Sequence, residues 1–270
     1  MNKFKKIVVL LVLTFTAVWS FAYERIAVLS PSGVEILFAI GAGDKIVART
    51  DFCNYPSESE KIPSVGGFDG KTLSVETIVS YNPDLVYGSK GMHDFLEEPL
   101  AEFGIDLYLS EGTSVQSVID EITYMGKATG SEKAAKNLVN DMNKRIKNVK
   151  KAAGKNKTTV FWQVWNEPFM SFGGDTFINE LISIAGGENI FASEKGWPVV
   201  SEEAIIASDP SVIIVPSDSM LTVESVTGRA GWENISAVKN NKVVIVDGDI
   251  CSRPGPRIVE ALEILQKIFK

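Results

Sequence analysis

Histidine is nearly absent from this 270-residue chain. His93 is the only one, so a histidine-ligated zinc site or a Ser–His hydrolase would have to use it. Its setting, GMHDF, reads as an exposed loop. The chain also lacks a G-x-S-x-G elbow, an H-E-x-x-H helix, a P-loop and a G-x-G-x-x-G turn after a strand. Only carboxylate chemistry stays open to an enzyme, through Asp51, Asp69 and Asp249 on loops. Cysteine is scarce too: Cys53 and Cys251 are the only pair, and an exported chain permits a disulfide between them without requiring one. Basic charge is in deficit, 27 Lys and Arg against 34 Asp and Glu, a net charge of -7 that argues against nucleic acid as a partner.

Long apolar runs are missing except at the N-terminus. There, MNKFKKIVVLLVLTFTAVWSFA carries three lysines, one apolar run over 7–18 and a small-x-small end at Ser20-Phe21-Ala22. Residues 1–22 are therefore expected to be a cleaved signal peptide, the apolar run being short for a membrane span of about 20 residues. No cysteine stands near the cleavage point, which argues for a soluble periplasmic protein rather than a lipid-anchored one. Removing 22 residues from 270 leaves 248, and removing three lysines takes the charge from -7 to -10. That length suffices for one large core or two small lobes.

The rest is organised around 131–154, SEKAAKNLVNDMNKRIKNVKKAAG, the longest helical pattern in the chain. Ala135, Leu138, Val139, Met142, Ile146, Val149 and Ala153 recur at three-and-four spacing and form one apolar stripe. Ser131 is placed to cap its start, lysines crowd its last turns and Gly154 follows it. On both sides short apolar strands alternate with helices, which predicts parallel sheets covered on both faces. Strands are expected over 25–29, 45–49, 84–87, 105–109, 158–164, 212–215 and 243–246. Helices are expected over 33–40, 74–81, 94–103, 115–128, 176–185, 201–207 and 257–269. The two sides also match by letter: LFAIGAGDKIV over LISIAGGENIF at an offset of 144, and LSVETIVSYNPDLVYG over VSEEAIIASDPSVIIV at an offset of 127.

The resulting fold class is α/β: two similar lobes with parallel sheets flanked by helices, joined by one long helix, with a ligand cleft between them. The expected division is 23–130 for the first lobe, 131–154 for the linking helix and 155–270 for the second. Ligands of parallel sheets bind beyond the carboxyl ends of the strands. The loops placed there hold Phe52, Tyr55, Phe68, Tyr87, Trp162, Trp165 and Trp197, together with Asp249 and Arg253. Aromatics on loops suit a large, flat or greasy ligand, with a few charges to orient it. Cys53 and Cys251 then lie one per lobe on the cleft rim; a bridge, two free thiols and thiolate contact with a ligand metal all remain open.

Several blocks, taken in order, resemble one family: RIAVLSPSGVEILFAIGAGDKIVARTDFCNYPSESEKIPSVGGF, NPDLVYGSKG, GGENIF with GWPVVSEEAIIASDPSVIIV, and GWENISAVKNNKVVIVDGD with RPGPRIVEAL. The chain resembles the substrate-binding proteins of ABC importers for vitamin B12, ferric siderophores and haem, and within that class the cobalamin-binding members. The resemblance implies a binding protein rather than an enzyme, without a resident cofactor or metal ion, expected as a monomer. It would capture a metal chelate, a corrinoid before a ferric siderophore or haem, and deliver it to a membrane permease. An exported carboxylate-dependent hydrolase is the other class kept. The resemblance places Phe52, Asp249 and Arg253 on the ligand, and Tyr87, Trp165 and Trp197 are expected to join them as stacking surface at strand ends. A tryptophan of the family's first-lobe cleft falls near Gly88 here, so that contact is missing unless Tyr87 substitutes, which keeps iron complexes in play. The family docks to its permease through one surface carboxylate per lobe, and the 127-residue offset pairs Glu97 with Glu224 for that role.

Overall fold

The computed structural model describes residues 22–67, 71–154 and 157–270. The expected signal peptide up to residue 21, with Phe68 and Asp69, lies outside the described residues. The first half forms β1 (Ile26–Val28), α1 (Pro31–Ala39), β2 (Ile46–Arg49), α2 (Val75–Ser80), β3 (Leu85–Ser89), α3 (Glu97–Glu102) and β4 (Asp106–Ser110). Two helices follow, α4 (Val115–Ala128) and α5 (Glu132–Ala152). The second half forms β5 (Thr158–Trp162), α6 (Phe177–Ala185), β6 (Gly187–Asn189), α7 (Glu202–Ser208), β7 (Val212–Pro216), α8 (Val223–Thr227), α9 (Ser236–Lys239), β8 (Val243–Val246), α10 (Gly248–Ser252) and α11 (Ile258–Phe269). Among the described residues no helix is long and apolar enough to cross a membrane.

Each half contributes one four-stranded sheet, ordered β2-β1-β3-β4 and β6-β5-β7-β8, and every neighbouring pair is parallel. The central strands are runs of buried apolar residues, IAV in β1 and VIIVP in β7, as sheets covered on both faces require. The expected α/β class with two similar lobes is the observed one.

The internal repeat holds in backbone detail at the offset of 127. Ser74 and Ser201 both cap their helices, accepting from the amides of Thr77 and Ala204 at 3.2 Å. Eight residues later Asn82 (φ 47°) and Asp209 (φ 42°) both adopt the left-handed conformation, each directly before a proline. A residue before proline is disfavoured in the right-handed helical region, and Asn and Asp tolerate the left-handed one, so the same dipeptide ends both helices. Strands β3 and β7 then begin in register. The offset of 144 is looser: it would place β2 over 190–193, whereas β6 is Gly187–Asn189.

Helix α5 buries Ala135, Met142, Ile146 and Val149, with Leu138 and Val139 half-buried, along the expected stripe. It packs on α4, α11, α6 and α1, so it touches helices of both halves. Arg145 grips Glu263 of α11 through two hydrogen bonds of 2.8 Å. Gln266 donates to the Val149 carbonyl at 2.7 Å, a second bond to an acceptor that also takes the Ala153 amide at 2.9 Å in the last turn of α5. Ser131 stands at the N-cap, yet its side chain makes no capping bond, contrary to expectation; its φ of -109° and ψ of 28° depart from the extended geometry of a capping serine.

Tyr87 is not a cleft residue. It lies inside β3 rather than beyond its end, is fully buried, and donates its hydroxyl to Glu121 of α4, which also accepts from Ser110 at 2.8 Å. Burial pushes the Glu121 carboxyl above its usual range. Gly33 of α1 lies against the Tyr87 ring: a β-carbon there would meet Cε1 at 1.8 Å. Gly33→Ala should therefore destabilise by about 1–3 kcal/mol, as overpacking a fixed core does. Urea unfolding would measure it, and an unchanged midpoint would show that the ring yields.

Cys53 and Cys251 are both buried and unbridged, packed in the same apolar cluster. Burial, with the Asp247 charge adding to it, pushes the Cys251 thiol up to about 12, and burial raises Cys53 as well. Thiolate is then scarce at pH 8. Neither cysteine should take up iodoacetamide in the native protein, and both should after denaturation without reductant. A Cys53–Cys251 crosslinked peptide in mass spectrometry would contradict this state.

Candidate functional site

In both sheets the strand order reverses direction between the first and third strands, leaving a crevice at their carboxyl ends. The loops after β1, β3 and β4 and the residues after β7 and β8 face one another across a cavity of about 510 Å³. The first half lines it with Leu29 to Ser32, Phe52, Ser89, Lys90, Met92, His93, Ser110, Glu111 and Gly112; the second with Asp218, Gly248, Asp249, Ser252, Arg253 and Pro254. A side recess of about 360 Å³ shares Gly112, Ser252 and Pro254 with it and adds Phe172, Asp175 and Trp197. The volume lies within the range of small-molecule clefts.

The sequence-predicted residues separate into three sets. Phe52 (50% exposed), Asp249 and Arg253 line the cavity, and Trp197 (58% exposed) lines the recess, its ring 4.7 Å from that of Phe172. Trp165, 57% exposed, is in neither; its indole donates to the Glu167 carbonyl and its backbone bridges to Met170. Tyr87 is the third case, buried below the floor. Trp162, on the same loop list, is also fully buried, while Tyr55 stacks under the Arg257 guanidinium at 4.1 Å. His93 corrects the expectation of an exposed loop residue: it is buried in the cavity floor, and its Nδ1 accepts from the Ser89 amide at 2.8 Å. Glu97 and Glu224 are exposed, each in the first turn of its helix. Among the described residues no group of three or more His, Cys, Asp or Glu is placed to hold a metal ion.

Asp249 and Arg253 sit one turn apart at α10 and pair at 2.6 Å. That pair is locked to the first half. Asn54 donates to Asp249 at 3.1 Å and accepts from Arg253 at 2.8 Å, and Arg253 also donates to the Phe52 carbonyl at 3.3 Å. Beneath them lies Glu35 of α1, 3% exposed, which accepts two bonds from Arg257 (2.6 and 2.9 Å) and one from Arg253 (3.4 Å). Such a buried carboxylate needs this many charged donors to offset its desolvation. A second inter-half bond has Glu180 of α6 accepting from the first amide of α4 at 2.8 Å. Sequence reasoning missed Glu35, Asn54 and Asp218. Glu35 did leave a signal, as the one charge in the apolar run of α1, but its partners lie 218 and 222 positions away.

Comparison with known proteins agrees with this architecture. The family profile described as periplasmic binding protein matches residues 26–250. A Bacillus subtilis ABC transporter substrate-binding lipoprotein, YvrC, is 32% identical over 251 residues, covering 90% of this chain and 78% of its own. A Staphylococcus epidermidis crystal structure described as a possible iron-binding, periplasmic solute-binding protein is 31% identical, with a TM-score of 0.79, covering 92% of this chain and 99% of its own. The vitamin B12-binding protein BtuF of Vibrio cholerae is 26% identical, with a TM-score of 0.80 and coverages of 92% and 97%. With two parallel sheets around a shared crevice and a profile match over most of its length, the chain belongs to the periplasmic binding protein family.

Proposed function

We propose that this protein is the extracytoplasmic solute-binding component of an ABC importer, capturing a metal chelate in the inter-lobe cleft and handing it to a membrane permease. The observation that carries the reading is the cavity of about 510 Å³ between the two sheets, flanked by the exposed rings of Phe52 and Trp197 and oriented by Asp249 and Arg253. Flat apolar surface with few charges suits a corrinoid, and the likeness to a vitamin B12-binding protein supports it. A ferric siderophore or haem is the second reading, favoured by the likeness to a structure described as possibly iron-binding. Trp165 is exposed, and the backbone bridges Trp165–Met170 and Met170–Val199 tie its loop to the segment that carries Trp197, so we assign it to a larger ligand.

The chain acts as a carrier in this reading, not as a catalyst. His93, which a Ser–His hydrolase would have to use, already spends its Nδ1 on a backbone amide. We read the chain as one lobe over 23–130, the linking helix over 131–154 and a second lobe over 155–270, working as a periplasmic monomer released by signal cleavage.

Titration with cyanocobalamin and cobinamide, followed by visible absorbance and calorimetry, tests the site. Arg253→Ala and Trp197→Ala should each weaken binding at least tenfold, about 1.4 kcal/mol or more. If both variants bind every candidate chelate like the parent protein, the site is misplaced. Glu97 and Glu224 are proposed to meet the permease. Glu97→Lys and Glu224→Lys should impair uptake by cells while leaving ligand affinity intact, and a loss of affinity would overturn that role.

A further inference from the structure

We infer that the cleft selects chelates without net negative charge, a neutral corrinoid or a neutral or cationic ferric hydroxamate, against trianionic ferric catecholates and haem with its two propionates. The inference rests on the chelate-binding reading above. It comes from the charges that line the cavity. Among the described residues only two are positive, Lys90 and Arg253, and both are held by carboxylates: Lys90 by Glu111 at 2.9 Å, Arg253 by Asp249 at 2.6 Å and by Glu35 at 3.4 Å. The guanidinium of Arg253 also donates to two further protein acceptors, Asn54 Oδ1 at 2.8 Å and the Phe52 carbonyl at 3.3 Å, so its donors already point at the protein. The third carboxylate, Asp218, forms no ion pair among the described residues and leaves the lining with a net negative charge.

One term opposes this. Helix α1 starts at the cavity, and a helix N-terminus presents roughly half a positive charge. Ser30 already accepts from the Gly33 amide at 3.2 Å, and half a charge does not cancel the unpaired Asp218. A trianionic ligand would meet repulsion with no unpaired cation among the described lining residues to answer it, and like-charge juxtaposition is a strong means of rejecting a wrong partner. The other polar side chains on the wall are the His93 imidazole, whose Nδ1 is taken by the Ser89 amide, and the hydroxyls of Ser30, Ser32, Ser89, Ser110 and Ser252; those of Ser32, Ser89 and Ser252 suit amide and hydroxamate oxygens.

The test uses the whole mature protein and four probes: cyanocobalamin, a neutral ferric trihydroxamate, a ferric tricatecholate and haem. A neutral probe should bind at least about 100-fold more tightly than either anionic one, roughly two steps of 1.4 kcal/mol. Glu111→Gln frees Lys90 and Asp218→Asn removes the unpaired charge, so each should narrow that ratio, and combining them should narrow it further; both side chains are at the surface, and circular dichroism would check folding. The narrowing should shrink as salt rises. An anionic chelate bound as tightly as the neutral ones overturns the charge selection while leaving chelate binding intact. Binding of none of the four removes the chelate reading and this inference with it.

Discussion

Glu35 is a carboxylate in the middle of an apolar helix, buried where an unpaired charge would lose several kcal/mol of hydration. It is tolerated because Arg257 and Arg253, from the far end of the chain, bring three charged hydrogen bonds to it. That requirement couples parts of the molecule that share no sheet. Helix α1 can bury its carboxylate only when the segment between α10 and α11 is docked, and that docking sets the first half against the second. It also sets the cleft, because the Arg253 that reaches down to Glu35 is the one that reaches across to Asn54 and Asp249. The Tyr55 ring under Arg257 extends the same cluster to the outer face of the first half. Whatever opening the cleft has is thus fixed by electrostatics at its base and by helix packing behind it, where α5 and α11 are tied through Arg145, Glu263 and Gln266.

The repeat shows how much of this was legible in the sequence. At the offset of 127 the letters carried physical instructions: a serine cap, an apolar helix, an Asx residue forced left-handed by the proline after it, then a buried strand. Such instructions are local, and so α2 and α7, β3 and β7, and the long stripe of α5 all fall where the pattern put them. β6 was invisible because Gly187-Glu188-Asn189 has no apolar signature; it is a strand only through its pairing with β5. α8, α9 and α10 are one-turn helices, too short for any periodicity to declare them.

The site was half legible for the same reason. Phe52, Trp197, Asp249 and Arg253 follow strand ends, and position relative to a strand end is a local property. Tyr87 and His93 went wrong by a step or two of chain. Tyr87 still belongs to its strand, where alternation turns it into the layer between sheet and helix; His93 follows a strand end but folds back, its ring seated on the Ser89 amide. Glu35 and Asn54 matter through partners in the other half, and no single sequence encodes which of its polar groups will meet at a distance of two hundred residues.

These two kinds of residue divide the work of the cleft. The polar base is satisfied from within: Arg253, Asp249, Asn54 and Glu35 are one another's partners, so a ligand reaching them must fit around bonds already made rather than supply missing ones. Burying an apolar face against the rings of Phe52 and Trp197 breaks no such bonds, and the free energy of capture then scales with apolar area removed from water. A rigid ligand that brings a broad face and neutral polar edges gains from both features at once. A small, highly charged one would gain from neither, since the rim offers it little area and the base offers it no unpaired cation.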